Sequence, residues 1–100
     1  MEKRIAHYQL SKIKLLVAAG SVRSSRTALK SAVSLGMTFG DMKVVILNLQ
    51  VQDFYKSMTT QHDHTIWQDV YHYPAEDGDL YIKLQILGDV VIVSFKECER

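Results

Sequence analysis

The fold is decided by one stretch, residues 80–96, which reads LYIKLQILGDVVIVSFK. Its two halves are rich in Val, Ile and aromatic residues, as strands are. Only Gly88 and Asp89 separate the halves, and a glycine in the first position is typical of a two-residue type II′ hairpin loop. The stretch therefore predicts a β-hairpin with strands over Leu80–Leu87 and Val90–Lys96.

This loop also predicts the register of the hairpin, with Leu87 opposite Val90. On one face the predicted pairs are Gln85 with Ile92, Lys83 with Ser94, and Tyr81 with Lys96. On the other face they are Ile86 with Val91, Leu84 with Val93, and Ile82 with Phe95. The second face is wholly apolar and must pack against helices, whereas a one-residue slip would bury Lys83 and Lys96.

The N-terminal half has the apolar spacing of helices. Three helices are predicted, each beginning at a residue that can cap it: Ser11, then Ser24 or Ser25, then Asp41. Gly20 and Gly36 follow the first two helices at positions where helices commonly end.

Further strands are predicted over residues 53–60 and 65–73, followed by a loop at Pro74–Asp79. Together these elements predict an α+β fold in which three N-terminal helices pack on one face of an antiparallel sheet. A chain of 100 residues is expected to form a single domain, 1–100.

Composition and charge narrow the class of protein. The chain has one cysteine, Cys98, and neither a long apolar run nor a signal-peptide pattern, so we expect a cytoplasmic protein without a membrane partner. Residues 1–30 carry seven basic side chains and one acidic, a balance of +6, whereas residues 31–100 carry five basic and ten acidic, a balance of −5. The basic segment can attract a polyanion, although solvated helix faces would have the same composition.

The predicted pairing of Tyr81 with Lys96 suggests a phosphate site, because lysine supplies a charge and tyrosine a hydrogen bond or a stacking surface. The alternative is an ordinary solvated face of an open sheet.

His62, Asp63 and His64 resemble metal ligands, but they lie in a predicted turn and lack the third or fourth ligand that zinc needs, so no metal is expected. The four histidines could serve in acid–base chemistry, but none has a partner at a recognisable spacing.

Several longer stretches carry a family resemblance. They are DFYKSMTT at 53–60, DHTIWQDVY at 63–71, Tyr81, and VIVSFKE at 91–97, and the beginning of the chain adds MEKR at 1–4 and His7. With these stretches the sequence resembles the MqsR family of toxins over essentially its whole length. It departs from the family in the first helices and in the loop at 73–79.

The resemblance implies an mRNA interferase of the RelE/YoeB-like fold class, which cleaves at GCU-type sites without a ribosome or a cofactor. It also implies a partner antitoxin of the MqsA type, with a zinc-binding and a helix-turn-helix domain. The catalytic residues that it implies are Lys56, Gln68, Tyr81 and Lys96. We expect further RNA contacts from Tyr55, Lys83, His62 and His64. In this chemistry the RNA 2′-hydroxyl attacks the adjacent phosphorus, and either Lys56 or Lys96 can act as the base.

The catalytic set makes a geometric prediction, because all four side chains must project from one face of the sheet. The register of the two strands that flank the 74–79 loop decides whether Gln68 lies on the face of Tyr81. It does so only if the numbers of two residues that face each other across these strands add to an odd value, and the resemblance favours that register. Asp69 then points toward the helices and needs a buried partner. Lys56 is expected to face the site and Tyr55 to point away from it.

Two other functions fit the same sequence. One is a non-catalytic RNA-binding module that uses the basic and aromatic face for affinity alone. The other is an interaction protein whose exposed sheet edge recruits a partner strand. A cut RNA with a cyclic phosphate end separates the enzyme from the first of these.

Overall fold

The computed structural model describes residues 1–99. In that range the helices are α1 (Leu10–Ala18), α2 (Arg26–Ser34) and α3 (Phe39–Leu47), followed by a 3₁₀ turn at Val51–Asp53. The strands are β1 (Glu2–Lys3), β2 (Val22–Ser24), β3 (Phe54–Thr59), β4 (Trp67–Ala75), β5 (Gly78–Leu87) and β6 (Asp89–Glu97). No helix in residues 1–99 combines the length and the apolar character needed to cross a membrane.

The strands form one six-stranded sheet in the order β1-β3-β4-β5-β6-β2. Its neighbours run antiparallel except β2, which is parallel to β6. The predicted fold class, three helices on an antiparallel sheet of the RelE/YoeB-like kind, is therefore wrong, because the sheet is mixed. Strands β1 and β2, of two and three residues, come from the part of the sequence in which only helices are predicted. They are too short to show the alternation by which strands are identified.

Helices α2 and α3 begin at side-chain caps. Ser25 accepts a hydrogen bond from the Ala28 N–H at 3.0 Å and donates its hydroxyl to the Val93 carbonyl at 2.9 Å, which ties α2 to β6. At α3 the cap is Thr38, and Asp41 is the third helical residue of a reciprocal capping box. The predicted cap at Asp41 is therefore misplaced by three residues.

The core lies between the helices and one face of the sheet. Fully burying a side chain of Val, Leu, Ile or Phe size stabilises a fold by about 1.5–3 kcal/mol. The helices contribute Ile13, Ala32 and Ile46, and strands β5 and β6 contribute Ile82, Leu84, Ile92 and Phe95, all at most 1% exposed.

The β5–β6 hairpin has the predicted register in its half away from the turn. There Tyr81 pairs with Lys96, and Lys83 pairs with Ser94. Toward the turn the partners differ by one residue from the prediction: Leu84 with Ile92, Gln85 with Val91, Ile86 with Val90 and Leu87 with Asp89. The turn therefore centres on Gly88, whose φ of +73° is readily adopted only by glycine. A bulge at Val93 restores the predicted pairing beyond it.

Strands β4 and β5 meet in a two-residue turn, because Ala75 pairs with Gly78. The predicted loop at 74–79 is thus mostly strand. His72 pairs with Tyr81, so paired residue numbers add to an odd value. The prediction that Gln68 shares the face of Tyr81 is confirmed.

Asp69 occupies the opposite face of β4 and is fully buried. Its Oδ1 accepts hydrogen bonds from the Ser57 hydroxyl at 2.6 Å and the His7 N–H at 3.1 Å, and its Oδ2 accepts one from the Tyr8 N–H at 2.9 Å. The predicted requirement for buried partners is confirmed, and the carboxylate fixes the segment before α1 against β3 and β4.

Candidate functional site: the polar face of the sheet

The face of the sheet that points away from the helices carries the candidate site, and we call it the polar face. Cross-strand pairing arranges its side chains in three parallel rows. The rows are His72–Tyr81–Lys96, then Lys56–Val70–Lys83–Ser94, then Met58–Gln68–Gln85–Val91. Neighbouring rows are two residues apart along the strands, which corresponds to about 7 Å.

A bulge in β3 adds Tyr55 to the first row. Phe54 pairs with Tyr71 on the helix side, Lys56 pairs with Val70 on the polar face, and Tyr55 is the extra residue between them. Its ring stacks on His72, with centroids 4.3 Å apart and an interplanar angle of 21°. The prediction that Tyr55 points away from the site is therefore wrong, because regular alternation does not hold through a bulge.

Three aromatic rings thus form a continuous band across β3, β4 and β5. His72 stacks on Tyr55 and lies 5.9 Å from the Tyr81 ring, with the two rings tilted by 43°. Tyr55 is 42% exposed, and His72 and Tyr81 are half-buried. Such a band can stack against nucleobases without selecting their sequence.

Cations surround this aromatic band. The Nζ atoms of Lys96 and Lys83 lie 5.3 Å and 5.8 Å from the centre of the Tyr81 ring. Lys56 Nζ lies 5.4 Å and the guanidinium carbon of Arg4 5.5 Å from the centre of the Tyr55 ring. The arrangement presents positive charge and hydrogen-bond donors to any ligand bound over the two rings.

The charges of these lysines are set by different surroundings. Lys56 forms an ion pair with Glu2 at 2.7 Å, and this hydrogen bond raises the pKa of Lys56, so the side chain stays protonated. Burial, followed by the nearby charges of Lys96 and Lys56, lowers the pKa of Lys83. Burial also raises the pKa of Tyr81, so its phenol remains a hydrogen-bond donor at neutral pH.

Gln68 belongs to the polar face but lies in its third row. Its side-chain amide donates to the Gln85 Oε1 at 2.7 Å. Gln85 is four residues from Tyr81 along β5, which corresponds to about 13 Å. The structure therefore brings Lys56, Tyr81 and Lys96 close together and places Gln68 at the far end of the same surface.

His62 and His64 lie apart from this cluster. They occupy the exposed turn between β3 and β4, beyond the last strand pair, Thr59 with Trp67. Within residues 1–99 no three His, Cys, Asp or Glu side chains are grouped so that they could hold a metal ion. The predicted RNA contacts of these two histidines stay predictions.

Sequence reasoning missed two members of the polar face: Arg4 and His72. His72 follows directly from the odd register, which places it opposite Tyr81. Arg4 reaches the site because β1 pairs with β3, and its guanidinium donates to the Tyr55 carbonyl at 3.5 Å. A two-residue strand gives no periodic signal that could have predicted this pairing.

Comparison with known proteins agrees with the resemblance. A family model described as "Motility quorum-sensing regulator, toxin of MqsA" matches residues 5–97. A protein of Escherichia coli (strain K12) named mRNA interferase toxin MqsR is 55% identical over 97 residues, which are 97% of this chain and 99% of that protein. The family match includes Tyr55, Lys56, His72, Tyr81 and Lys96.

Proposed function

The chain belongs to the MqsR toxin family, and on that premise we propose that it is an endoribonuclease that cleaves messenger RNA as the toxin of a toxin–antitoxin pair. It acts in the cytoplasm as a single domain, cuts at GCU-type sites without a ribosome or a metal, and thereby stops translation and growth. An antitoxin of the MqsA type, with zinc-binding and helix-turn-helix domains, neutralises it.

One observation carries this proposal: Lys56, Lys83 and Lys96 surround Tyr81 on an open sheet face. Lys83 and Lys96 contact the Tyr81 ring. The charge of Lys56 lowers the pKa of the Tyr81 phenol, which opposes the effect of burial on that pKa. Like charges held together repel one another, so such a cluster favours binding of a polyanion. A phosphodiester with its flanking bases matches both the cations and the aromatic band.

The cluster also fits the chemistry of RNA cleavage. Attack of the 2′-hydroxyl on phosphorus adds negative charge to the phosphoryl oxygens, and fixed cations at that position stabilise the transition state. Lys56, held protonated by Glu2, supplies such a charge, and Lys96 supplies another or donates a proton to the leaving oxygen. The Tyr81 hydroxyl donates a hydrogen bond to a phosphoryl oxygen. Positive charge thus takes the place that a metal ion has in other nucleases.

The remaining residues of the polar face hold the RNA on either side of the scissile bond. Tyr55 stacks on a base, and Lys83 binds a neighbouring phosphate. Gln68 lies two rows from Tyr81, and an amide there can read the edge of a base about two nucleotides away. His62 and His64 contact RNA that extends past the β3–β4 turn.

The test is cleavage of a short single-stranded RNA that contains one GCU. We expect two products, one with a 2′,3′-cyclic phosphate and one with a 5′-hydroxyl, resolved by gel electrophoresis and mass spectrometry. Lys96→Ala removes a charge from the exposed end of the first row and should slow cleavage by about 10²-fold or more. Lys12→Ala, an exposed lysine on α1, is the matched control and should cleave at the wild-type rate.

Two results would contradict the proposal. If wild-type protein shifts the RNA on a native gel but leaves it intact, the chain is an RNA-binding module without catalysis. If Lys96→Ala cleaves as fast as Lys12→Ala, the first row is not the site.

A further inference from the structure

His72 is the one imidazole on the polar face among residues 1–99, and neither the composition nor the spacing of the sequence singles it out. It pairs with Tyr81 across β4 and β5, and its ring is held between those of Tyr55 and Tyr81. Contacts with two rings fix the plane of the imidazole, so its nitrogens point in defined directions. A side chain held in this way is preorganised for a reaction at its edge.

The nitrogens of this imidazole are available to a ligand. Within residues 1–99, His72 has ring contacts but no hydrogen bond that involves Nδ1 or Nε2. A neutral imidazole has one nitrogen that accepts a proton. His72 therefore offers the polar face a proton acceptor.

Two of the three lysines of the site, Lys56 and Lys96, are poorly suited to that task. The third, Lys83, has a lowered pKa but belongs to the second row and not to the row of His72 and Tyr81. Lys56 is held protonated by its ion pair with Glu2, and Lys96 is an exposed ammonium. A protonated amine stabilises negative charge and donates protons, but it cannot accept one. A reaction that removes a proton from the 2′-hydroxyl needs a different group.

The positions of His72 and Lys96 on either side of Tyr81 also suit His72 to accept this proton. His72 and Lys96 lie on the strands either side of Tyr81, so their Cα atoms are about 10 Å apart with the phenol between them. In-line displacement at phosphorus places the attacking and leaving oxygens on opposite sides of the phosphorus atom. A phosphate bound over Tyr81 would therefore present one oxygen toward His72 and the other toward Lys96.

We infer, on the basis of the proposed function, that His72 is the general base of RNA cleavage. Its free nitrogen takes the proton of the 2′-hydroxyl while O2′ forms a bond to phosphorus. The bond from phosphorus to O5′ breaks, and Lys96 gives its proton to O5′. The products are a 2′,3′-cyclic phosphate and a 5′-hydroxyl, and proton exchange with water returns His72 and Lys96 to their starting states.

Ionisable groups face His72 from two sides. On the polar face these are the phenols of Tyr55 and Tyr81, which contact its ring, and the cations Lys56, Lys83 and Lys96 around those phenols. On its other side His72 lines a cavity of about 420 Å³ that also has acidic residues in its wall. These are Asp77, Asp79, Glu97 and Glu99, with Cys98 beside them.

The experiment measures kcat and KM for cleavage of the GCU-containing RNA between pH 5 and 8. His72→Phe keeps an aromatic ring between Tyr55 and Tyr81 but removes both nitrogens. His7→Phe is the matched control, because His7 stacks on Trp67 on the helix side, with centroids 5.5 Å apart. Circular dichroism checks that both variants fold, and His72→Gln provides a second, polar replacement that cannot act as a base.

We expect His72→Phe to lower kcat by about 10²-fold or more while KM changes little, since general base catalysis typically contributes about 10²–10⁴-fold. Wild type and His7→Phe should lose activity as the pH falls from 8 to 5, because a general base that has taken up a proton cannot act. The residual activity of His72→Phe and His72→Gln should not fall in this way. Added imidazole should accelerate His72→Ala more than wild type.

Three outcomes would overturn the inference. His72→Phe could cleave as fast as wild type, it could raise KM with kcat unchanged, or it could retain the acidic limb of the pH profile. The second outcome would make His72 a stacking residue only. Each of these leaves the proposed function intact as long as wild-type protein still yields the cyclic phosphate, whereas wild-type protein that cuts no RNA refutes the proposed function itself.

Discussion

Replacement of Asp69 by alanine tests the internal framework that supports the polar face. The carboxylate is 0% exposed and accepts hydrogen bonds from the Ser57 hydroxyl and from the N–H groups of His7 and Tyr8. Alanine removes both acceptor oxygens, so the N–H groups of His7 and Tyr8 lose their side-chain acceptor and the Ser57 hydroxyl keeps only the Gln68 carbonyl, 3.4 Å away. Water cannot easily replace the carboxylate, because the site lies between β4 and the segment that precedes α1.

The expected loss of stability follows from these three hydrogen bonds. A hydrogen bond to a charged group contributes about 1.5–3 kcal/mol, and contributions within one network are not fully additive. We therefore expect Asp69→Ala to lower the free energy of unfolding by about 4–6 kcal/mol. A domain of 100 residues is typically stable by about 5–15 kcal/mol, so the variant should be close to unfolding at 37 °C.

The assay is urea denaturation at pH 7 and 25 °C, followed by circular dichroism. Ser57→Ala removes one of the three donors and should lower the free energy of unfolding by about 1.5–3 kcal/mol. Asp89→Ala is the control, since Asp89 is exposed and its ion pair with Arg23 spans 3.9 Å, and it should change stability by less than about 1 kcal/mol. An Asp69→Ala variant as stable as Asp89→Ala would refute the role of Asp69 as the buried anchor of the N-terminal segment.

Three further predictions concern chemistry, capping and charge. EDTA should leave the rate of RNA cleavage unchanged, and inactivation that added divalent metal reverses would contradict cleavage without a metal. Ser25→Ala should lower the free energy of unfolding by about 1–2 kcal/mol, because it removes both the N-cap of α2 and the hydrogen bond to Val93; a loss below about 0.3 kcal/mol would contradict this. Lys83→Met should raise the free energy of unfolding at pH 7, since the lowered pKa of Lys83 means that folding disfavours its charged form. The difference should shrink as the pH rises through that lowered pKa toward 10.5, where the lysine becomes neutral in both states; a difference of the opposite sign at pH 7 would be inconsistent with the shift.

Much of the molecule could be predicted because its periodic segments are long. The three helices and four of the six strands have apolar spacing over six or more residues, and the structure contains all seven. Helix starts were less predictable: α1 begins at Leu10 without a side-chain cap, and α3 begins at Phe39, two residues before Asp41. No local signal marks the start of α1, and at α3 Asp41 is the third helical residue of a capping box and not the cap itself.

The short edge strands β1 and β2 could not be predicted. The predicted fold class is wrong because it lacks the parallel strand β2. Pairing of β1 with β3 depends on two residues, and parallel pairing of β2 with β6 depends on three. Neither leaves a pattern in the sequence, yet β1 places Glu2 and Arg4 beside Lys56 and Tyr55. Part of the electrostatics of the site therefore comes from contacts between residues more than 50 positions apart in the chain.

The bulges in β3 and β6 determine which residues of these strands enter the core and which lie on the polar face. In β6, Ile92 and Phe95 both face the helices, although three positions separate them and strict alternation would send them to opposite faces. The same conflict occurs in β3, where Phe54 packs against Tyr71 and Lys56 faces the polar side at a spacing of two. One extra residue in each strand resolves the conflict by switching the phase of the alternation. A regular β6 that buried Ile92 would also bury Lys96, and a regular β3 that buried Phe54 would also bury Lys56. Apolar residues at an odd spacing, such as Ile92 and Phe95, are thus a sequence signal for a bulge. Here the bulges allow β3 and β6 each to contribute both an aromatic residue to the helix side and a lysine to the polar face.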